Sequence, residues 1–204
     1  MKLILVRHGE TEWNHLHRMQ GLTDLPLTET GRAQAEAIAT ALKNEAVEVI
    51  YSSPLKRALE TARIINRFHQ VEIIPVEELK ELNVGQLEGL YAEEMKARYS
   101  DFFQAWTTDP ASTRMPGGES LPEVQERVWS AVTQIRQQNH LHPVILVSHF
   151  FSLIALFCKL LDLQLSDFRK LYLKVGSISR VEFNEDKAKL LSFNDTCHLE
   201  IGKS

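Results

Sequence analysis

The stretch L-I-L-V-R-H-G-E-T-E-W-N, residues 3–14, decides the fold prediction for this chain. Its apolar beginning does not alternate with polar residues, which is typical of a strand buried on both faces, and we predict that strand at residues 2–6. The apolar run stops directly at Arg7 and His8, and Gly9 follows them. The strand is therefore predicted to end at a functional edge of a sheet, where Gly9 lets the backbone turn away.

The composition is that of an ordinary soluble globular protein, with 44% hydrophobic and 25% charged residues. A length of 204 residues suits a single domain over residues 1–204 with a modest insertion. The 23 basic residues are outnumbered by 27 acidic ones, so we expect neither a nucleic acid nor a membrane as partner, and any anion site must be built locally. The apolar amino-terminal run is too short for a signal sequence, and a cytoplasmic protein is expected.

Strand and helix patterns alternate along the rest of the chain. Thr28 and Ser120 stand where they can cap helices, Ser53 with Pro54 is predicted to begin another helix, and a further helix follows His149. The other predicted strands lie at residues 47–51, 71–76, 143–147, 177–183 and 188–193, with a turn at 184–186 between the last two. This alternation predicts an α/β fold, namely a three-layer α/β/α sandwich around a mostly parallel sheet with one antiparallel edge strand.

Ligands of such sheets bind outside the carboxyl ends of the strands. Three strand ends carry polar pairs that this rule brings to one edge: Arg7 and His8, Ser52 and Ser53, and Ser148 and His149. Arg57 lies within one turn of the helix that follows the second pair. A phosphate suits this set, because guanidinium groups match its oxygens and helix amino termini favour anions. Since the chain shows neither a glycine-rich nucleotide loop nor a carboxylate cluster with metal-ligand spacing, a histidine is the expected nucleophile.

Longer blocks of sequence carry a family resemblance. In chain order they are L-V-R-H-G-E-T-E-W-N at 5–14, Q-G at 20–21, D-x-P-L-T-x-x-G at 24–31, Y-S-S-P-L-x-R-A-x-x-T-A at 51–62, E-L-x-x-G-x-x-E-G at 81–89, G-G-E-S at 117–120 and V-S-H at 147–149. With these blocks the sequence resembles the phosphoglycerate mutase-like branch of the histidine phosphatase superfamily, whose fold it is expected to share. Arg7 and His8 alone would fit a buried polar pair at a strand end equally well, but the further blocks argue against that alternative.

The resemblance implies a role for each matching position. His8 would be the nucleophile that forms a phosphohistidine, and Arg7, Arg57 and His149 would hold the phosphoryl oxygens. Asn14 would donate to the same phosphoryl group. Backbone amides near Gln20 and Gly21, and that of Phe150 after His149, would complete the phosphate site. These roles imply no cofactor and no metal, and the partner would be a small-molecule phosphate monoester.

Glu81 would be the general acid that protonates the leaving oxygen and then the base that activates water. Both tasks need a pKa above that of a solvated glutamate, which partial burial among apolar neighbours could supply. The alternative is a solvated surface carboxylate, because Glu77, Glu78 and Glu88 are close in sequence.

The segment at residues 90–116 is the least regular part of the chain and is predicted to be an inserted helical lid. It contains an aromatic cluster of Phe102, Phe103 and Trp106. Phe150 and Phe151 stand where many members of the family have small residues, so their rings either pack in the core or narrow the leaving-group site.

The residues leave the substrate open. The chain is shorter than glycolytic mutases, which favours a phosphatase, and N-D-T-C-H-L at 194–199 resembles the ends of α-ribazole-5′-phosphate phosphatases of cobalamin biosynthesis. An α-ribazole phosphatase is therefore the first expectation. The alternatives are a broad-specificity or phosphoserine phosphatase, a phosphoglycerate mutase, and a phospho-ligand binding module without activity. Either a monomer or a homodimer fits the sequence.

Two H-x-H pairs, at residues 15–17 and 140–142, have a spacing seen in metal sites. Neither pair has a further carboxylate or cysteine at a suitable distance along the chain, so we interpret both as surface residues. Cys158 and Cys197 have no paired spacing, so a disulfide is possible but not indicated.

Overall fold

The computed structural model describes residues 1–184 and 187–200. Within them a six-stranded sheet has the order β3-β2-β4-β1-β5-β6. The strands are β1 Lys2–Arg7, β2 Val49–Ser52, β3 Glu72–Pro75, β4 Val144–Ser148, β5 Ile178–Asn184 and β6 Lys187–Asp195. β1 to β4 pair in parallel, and β5 is antiparallel to both β1 and β6. The predicted sheet is thus confirmed, with β5 as its antiparallel strand, one place in from edge strand β6. Of the turn predicted at 184–186, Glu185 and Asp186 lie outside the described residues.

Helices cover both faces of the sheet. They are α1 Glu12–His15, α2 Glu29–Leu42, α3 Lys56–Asn66, α4 Ala92–Arg98, α5 Ser100–Thr108, α6 Leu121–Gln137 and α7 Phe150–Leu160. Successive residues of β1 point to opposite faces, so that Ile4 and Val6 join one hydrophobic cluster and Leu3 and Leu5 the other. The first cluster contains residues of α2 and α3, and the second contains residues of α6 and α7. The three-layer prediction is confirmed. No described helix is long and apolar enough to cross a membrane.

The predicted helix start at Ser53 and Pro54 is wrong, because α3 begins at Lys56. The amide of Lys56 donates to Asp24 Oδ1 at 2.7 Å, so a side chain from a distant loop replaces the expected local cap. The hydroxyl of Ser53 lies 2.7 Å from His149 Nε2 instead. The serine that the local pattern assigned to a cap therefore belongs to the site. The other two predicted caps, Thr28 and Ser120, precede α2 and α6 as expected.

Gly9 is needed for close packing rather than for an unusual turn. A Cβ atom at Gly9 would lie 2.3 Å from the carbonyl oxygen of Gly31, and one at Gly31 would lie 2.1 Å from that of Glu10. The first turn of α2 therefore packs directly against the chain that leaves β1. The amide of Gly9 donates to Thr61 Oγ1 of α3 at 3.2 Å, which fixes the end of β1 from a second helix.

Candidate active site

The sheet order brings the three polar strand ends together, as the sequence predicts. β1 and β2 flank β4, and the register pairs Arg7 with Ser148 and Ser52 with Val147. A cleft of about 200 Å³ opens at this edge. Its lining residues are Arg7, His8, Asn14, His17, Arg18, Met19, Gln20, Arg57, Glu81, Ala92, Met95, Phe150 and Phe151. Of the predicted site residues, His149 and Gly21 are not in the wall of the cleft.

His8 lines this cleft, is buried, and has a defined tautomer. Its Nδ1 lies 2.7 Å from the carbonyl oxygen of Gly9, which can only accept, so Nδ1 carries the proton and Nε2 keeps its lone pair. Burial, together with the charges of Arg57 and Arg7, holds the pKa of His8 well below its usual range. The imidazole is therefore neutral at physiological pH, which is the state that a nucleophile requires.

His149 differs from His8 because both of its ring nitrogens are occupied by protein groups. Arg57 Nε donates to His149 Nδ1 at 3.1 Å, so the proton of the neutral ring sits on Nε2, 2.7 Å from Ser53 Oγ. Burial and the Arg57 charge lower the pKa of His149 well below its usual range. The predicted direct contact of His149 with phosphoryl oxygens stays a prediction. The hydrogen bond that the structure shows places His149 where it orients Arg57.

Arg57 is held on three sides and still faces the cleft. Besides its bond to His149, Nη1 donates to the carbonyl of Thr23 at 2.9 Å and Nη2 to that of Gly21 at 2.7 Å. A guanidinium has five N–H groups, so two of them remain for a ligand. Burial lowers the pKa of Arg57 to about 10, and the group stays cationic at neutral pH.

Arg7 supplies a second cation with unused donors. Its Nη1 donates to the carbonyl of Leu173, and its guanidinium carbon lies 5.1 Å from the centre of the Phe150 ring. Its Nε is buried without a hydrogen-bond partner among the described residues. Burial lowers its pKa to about 10. A buried cationic N–H without an acceptor is costly, and an anion in the cleft would relieve that cost.

Asn14 and Gln20 present amide donors to the same cleft. Asn14 Oδ1 accepts from the backbone amide of Thr11 at 3.1 Å, which turns Nδ2 away from that bond. Gln20 Oε1 lies 2.7 Å from Thr11 Oγ1, and its Nε2 is buried without a partner in the described part of the chain. Both side chains fit the predicted contacts to a phosphoryl group.

Gly21 bonds to other protein groups through both its amide and its carbonyl, and its predicted contact with a phosphate stays a prediction. Its amide donates to Glu88 Oε2 at 3.3 Å. Its carbonyl accepts from Arg57. A Cβ atom at this position would lie 2.7 Å from the carbonyl oxygen of Leu82. Gly21 therefore supports the site by letting the chain approach closely and hold Arg57.

Glu81 is 4% exposed and lies at the amino terminus of α7. Its carboxylate accepts from the amides of Leu82 at 2.8 Å, Phe151 at 3.1 Å and Ser152 at 3.3 Å. Burial raises its pKa, and those amides together with Arg57 oppose the shift only in part. The raised pKa that the sequence predicted is confirmed. The amide of Phe150, the first residue of α7, has no acceptor among the described residues and remains available to a ligand.

The rings of Phe150 and Phe151 form one wall of the cleft, with their centres 5.1 Å apart. The centre of the Phe151 ring also lies 6.2 Å from that of Trp106, in the segment at 90–116, and 5.9 Å from that of Phe168. Ala92 and Met95 of α4 line the cleft as well. The segment at 90–116 thus forms part of the wall. Its closing over a ligand stays a prediction.

Arg18 was missed by the sequence reasoning. It lines the cleft, its Nη1 donates to the carbonyl of Gly89 at 2.9 Å, and its guanidinium lies 4.3 Å from the centre of the Tyr91 ring. The available signal was its position between Asn14 and Gln20, two residues that were assigned to the site.

The H-x-H pairs do not assemble a metal site. Within residues 1–184 and 187–200 no group of three or more His, Cys, Asp or Glu side chains could hold a metal ion. His140 Nδ1 lies 2.9 Å from Glu48 Oε1, and His15 Nδ1 lies 3.8 Å from Glu10 Oε2.

Comparisons with known proteins agree with this geometry. The model of the histidine phosphatase superfamily (branch 1) matches residues 3–196. Phosphoserine phosphatase 1 of Hydrogenobacter thermophilus is 38% identical over 199 residues, which cover 98% of this chain and 94% of that protein. The structure of Bacillus stearothermophilus YhfR superposes with a TM-score of 0.93 at 32% identity, over 98% of this chain and 99% of that one. The alpha-ribazole phosphatase from Shigella flexneri superposes with a TM-score of 0.88 at 26% identity, over 96% of both chains.

Proposed function

Because the chain belongs to branch 1 of the histidine phosphatase superfamily and is a phosphatase, we propose that it hydrolyses a small phosphate monoester through a phosphohistidine on His8. The observation that carries the proposal is the His8 tautomer. Its Nδ1 donates to Gly9, which leaves the Nε2 lone pair for phosphorus in a cleft lined by Arg7 and Arg57. Phosphoserine is our first candidate substrate.

In the first step the His8 Nε2 lone pair attacks phosphorus and the bond from phosphorus to the ester oxygen breaks. Arg7 and Arg57 balance the charge on the phosphoryl oxygens, and Asn14 and Gln20 donate to them. The proton of the Glu81 carboxyl moves to the leaving oxygen, so an alcohol departs. Burial raises the pKa of Glu81 and so favours the protonated carboxyl that this step needs.

In the second step water attacks the phosphorus of the phosphohistidine. The Glu81 carboxylate, now without its proton, accepts one from that water. The bond from nitrogen to phosphorus breaks, inorganic phosphate leaves, and neutral His8 and protonated Glu81 are restored. Each proton given up in one step is recovered in the other, so the chain's own groups complete the cycle.

The charge of the cleft supports a substrate with a second negative group. Arg7, Arg18 and Arg57 all line it, and Glu81 is the one carboxylate among its described lining residues. A phosphoryl group bound by Arg7 and Arg57 leaves Arg18 as a third lining cation for another anion. The carboxylate of phosphoserine would meet that need, and a relative 38% identical to this chain is a phosphoserine phosphatase.

α-Ribazole-5′-phosphate remains a second candidate because of the aromatic wall. The rings of Phe150 and Phe151 line the cleft, and the Phe151 ring also packs against the ring of Trp106. A flat heteroaromatic group on the substrate could stack against such rings. The structural likeness to the alpha-ribazole phosphatase from Shigella flexneri supports the same candidate.

A substrate panel tests the proposal. Phosphoserine, α-ribazole phosphate, 3-phosphoglycerate and a sugar phosphate are compared by kcat/KM for phosphate release, with EDTA present. We expect the highest value for phosphoserine. A clear preference for α-ribazole phosphate would transfer the assignment to the second candidate, and conversion of 3-phosphoglycerate mainly to 2-phosphoglycerate would indicate a mutase. No turnover would leave only a binding module, and equal turnover by a His8→Ala variant would show that His8 is not the nucleophile.

A further inference from the structure

We propose that Arg127, which lies outside the cleft, is a positioning residue for acid catalysis by Glu81. The inference rests on the proposed function, since it concerns how the carboxyl of Glu81 is kept where a leaving oxygen needs it.

All five N–H groups of Arg127 are used, and all five point to the segment that carries Glu81 or to its support. Nη1 donates to the carbonyls of Glu78 at 2.6 Å and Lys80 at 2.7 Å, and Nη2 donates to the carbonyl of Glu81 at 3.0 Å. Nε and Nη2 also bind Glu119 Oε1 and Oε2 at 2.9 and 3.0 Å. One side chain of α6 thus binds three carbonyls within residues 78–81, two of them in the loop that carries Glu81 and one in the 3₁₀ turn before it.

The loop that carries Glu81 has no regular secondary structure to stabilise it. It runs between the one-turn 3₁₀ helices Glu77–Leu79 and Gly85–Leu87, and no strand pairs with it within the described residues. Its carbonyls need donors from elsewhere, because buried backbone groups without partners are costly. Arg127 supplies such donors, and its partner Glu119 accepts from the amide of Asn83, also in the loop, at 2.9 Å. With side-chain exposures of 20% for Arg127 and 26% for Glu119, this pair is partly shielded from water.

Glu81 is consequently held at both ends. Arg127 fixes its carbonyl, and the amides of Leu82 and of the first turn of α7 fix its carboxylate. Two serines hold the neighbouring carbonyls: Ser148 Oγ donates to Leu79 and Ser152 Oγ to Lys80. Loss of the guanidinium would remove the hydrogen bonds from Arg127 and leave those from the two serines and from the α7 amides in place. A displacement on the order of 1 Å at a catalytic group can cost about 100-fold in rate.

A leaving-group comparison separates positioning from general support. Phenyl phosphate and p-nitrophenyl phosphate have similar shapes, but phenol is much the weaker acid and needs protonation as it leaves. Arg127→Lys keeps the charge and loses the five-donor fork. We expect its kcat/KM to fall about 10- to 100-fold on phenyl phosphate and less than about 3-fold on p-nitrophenyl phosphate. In a Glu81→Gln background the same substitution should cost less than about 3-fold on either substrate, because the acid is already gone.

Arg114→Lys is the matched control. Arg114 also binds a carboxylate and a backbone carbonyl, those of Glu123 and Gly118, but its side chain is 58% exposed and these hydrogen bonds go to residues outside the Glu81 loop. It should behave as wild type on both substrates. Should Arg127→Lys fail to fold, Glu119→Gln removes a charge from the same support. It should also lower kcat/KM more on phenyl phosphate than on p-nitrophenyl phosphate, with smaller fold-changes.

Equal losses on the two aryl phosphates, or losses that add in full to those of Glu81→Gln, would overturn the positioning role. Failure of the proposed function would look different, because the wild-type protein would then turn over neither substrate.

Discussion

His8 and His149 are both buried imidazoles that follow parallel strands, but their hydrogen bonds make them chemically different. The Gly9 carbonyl fixes a proton on Nδ1 of His8 and leaves Nε2 free, whereas Arg57 and Ser53 occupy both nitrogens of His149. Sequence motifs identified both residues, and parallel pairing explains why they meet. The motifs could not distinguish the role of His149 from that of His8, because the partner of His149 Nε2 lies 96 positions away in the chain.

Arg57→Lys should lose most activity. The guanidinium binds His149, Thr23 and Gly21 while it keeps two donors for the ligand, and an ammonium cannot span these positions. We expect kcat on p-nitrophenyl phosphate to fall about 100- to 1,000-fold, as for loss of a donor to a developing anion. Arg63→Lys, at an exposed position of the same helix, is the control and should be neutral. Near-normal kcat in the Arg57 variant would show that this side chain is peripheral.

Glu81→Gln removes the proton that the leaving oxygen requires. We expect kcat/KM to fall at least about 100-fold on phenyl phosphate and only a few-fold on p-nitrophenyl phosphate, whose leaving group needs little protonation. Steady-state kinetics on the two esters measures the difference. Losses of the same size on both would take the acid role away from Glu81.

At the scale of elements, the strands and most helices followed from apolar patterns and capping residues. The start of α3 did not, because its first amide is capped by Asp24 of a remote loop rather than by the neighbouring Ser53. The irregular pattern of residues 90–116 predicted a helical insertion, and the structure has the helices α4 and α5 there. Its contribution to the cleft wall through Ala92 and Met95, and the packing of Trp106 against Phe151, depend on tertiary contacts that local sequence does not encode.

Gly31→Ala tests the contact between α2 and the end of β1. Helix propensity alone predicts that alanine at this helical position would stabilise by about 1 kcal/mol. The structure predicts the opposite, because the new Cβ would lie 2.1 Å from the carbonyl oxygen of Glu10. We expect a loss of about 1–3 kcal/mol in the free energy of unfolding, measured by urea denaturation. Thr40→Ala, at an exposed position of the same helix, should be neutral or slightly stabilising. A stabilised Gly31 variant would refute this packing.

At the scale of the whole molecule, burying the catalytic groups links stability to pH. Because the pKa of His8 is lower in the folded than in the unfolded chain, its contribution to stability is present above about pH 6.5 and lost as pH falls below it. Glu81 acts in the opposite sense: its raised pKa favours folding at low pH, and that contribution is lost as pH rises. The two effects partly cancel in the wild type.

Comparing variants separates the two contributions. Between pH 7.5 and pH 5 we expect the wild type to lose more unfolding free energy than His8→Asn, by on the order of 1 kcal/mol. His142→Asn, at an exposed position, should follow the wild type. Urea denaturation at the two pH values gives the comparison. A His8→Asn variant that lost as much stability as the wild type would show that His8 does not resist protonation in the fold.

The central claim is that His8 carries the phosphoryl group between substrate and water. Rapid quench of the enzyme with p-nitrophenyl phosphate in EDTA, followed by mass spectrometry under alkaline conditions that preserve phosphohistidine, tests it most directly. We predict a phosphoryl group on His8 during turnover and none in His8→Ala. Release of p-nitrophenol with the phosphoryl group on another residue, or with no phosphorylated protein at any time point, would contradict the account.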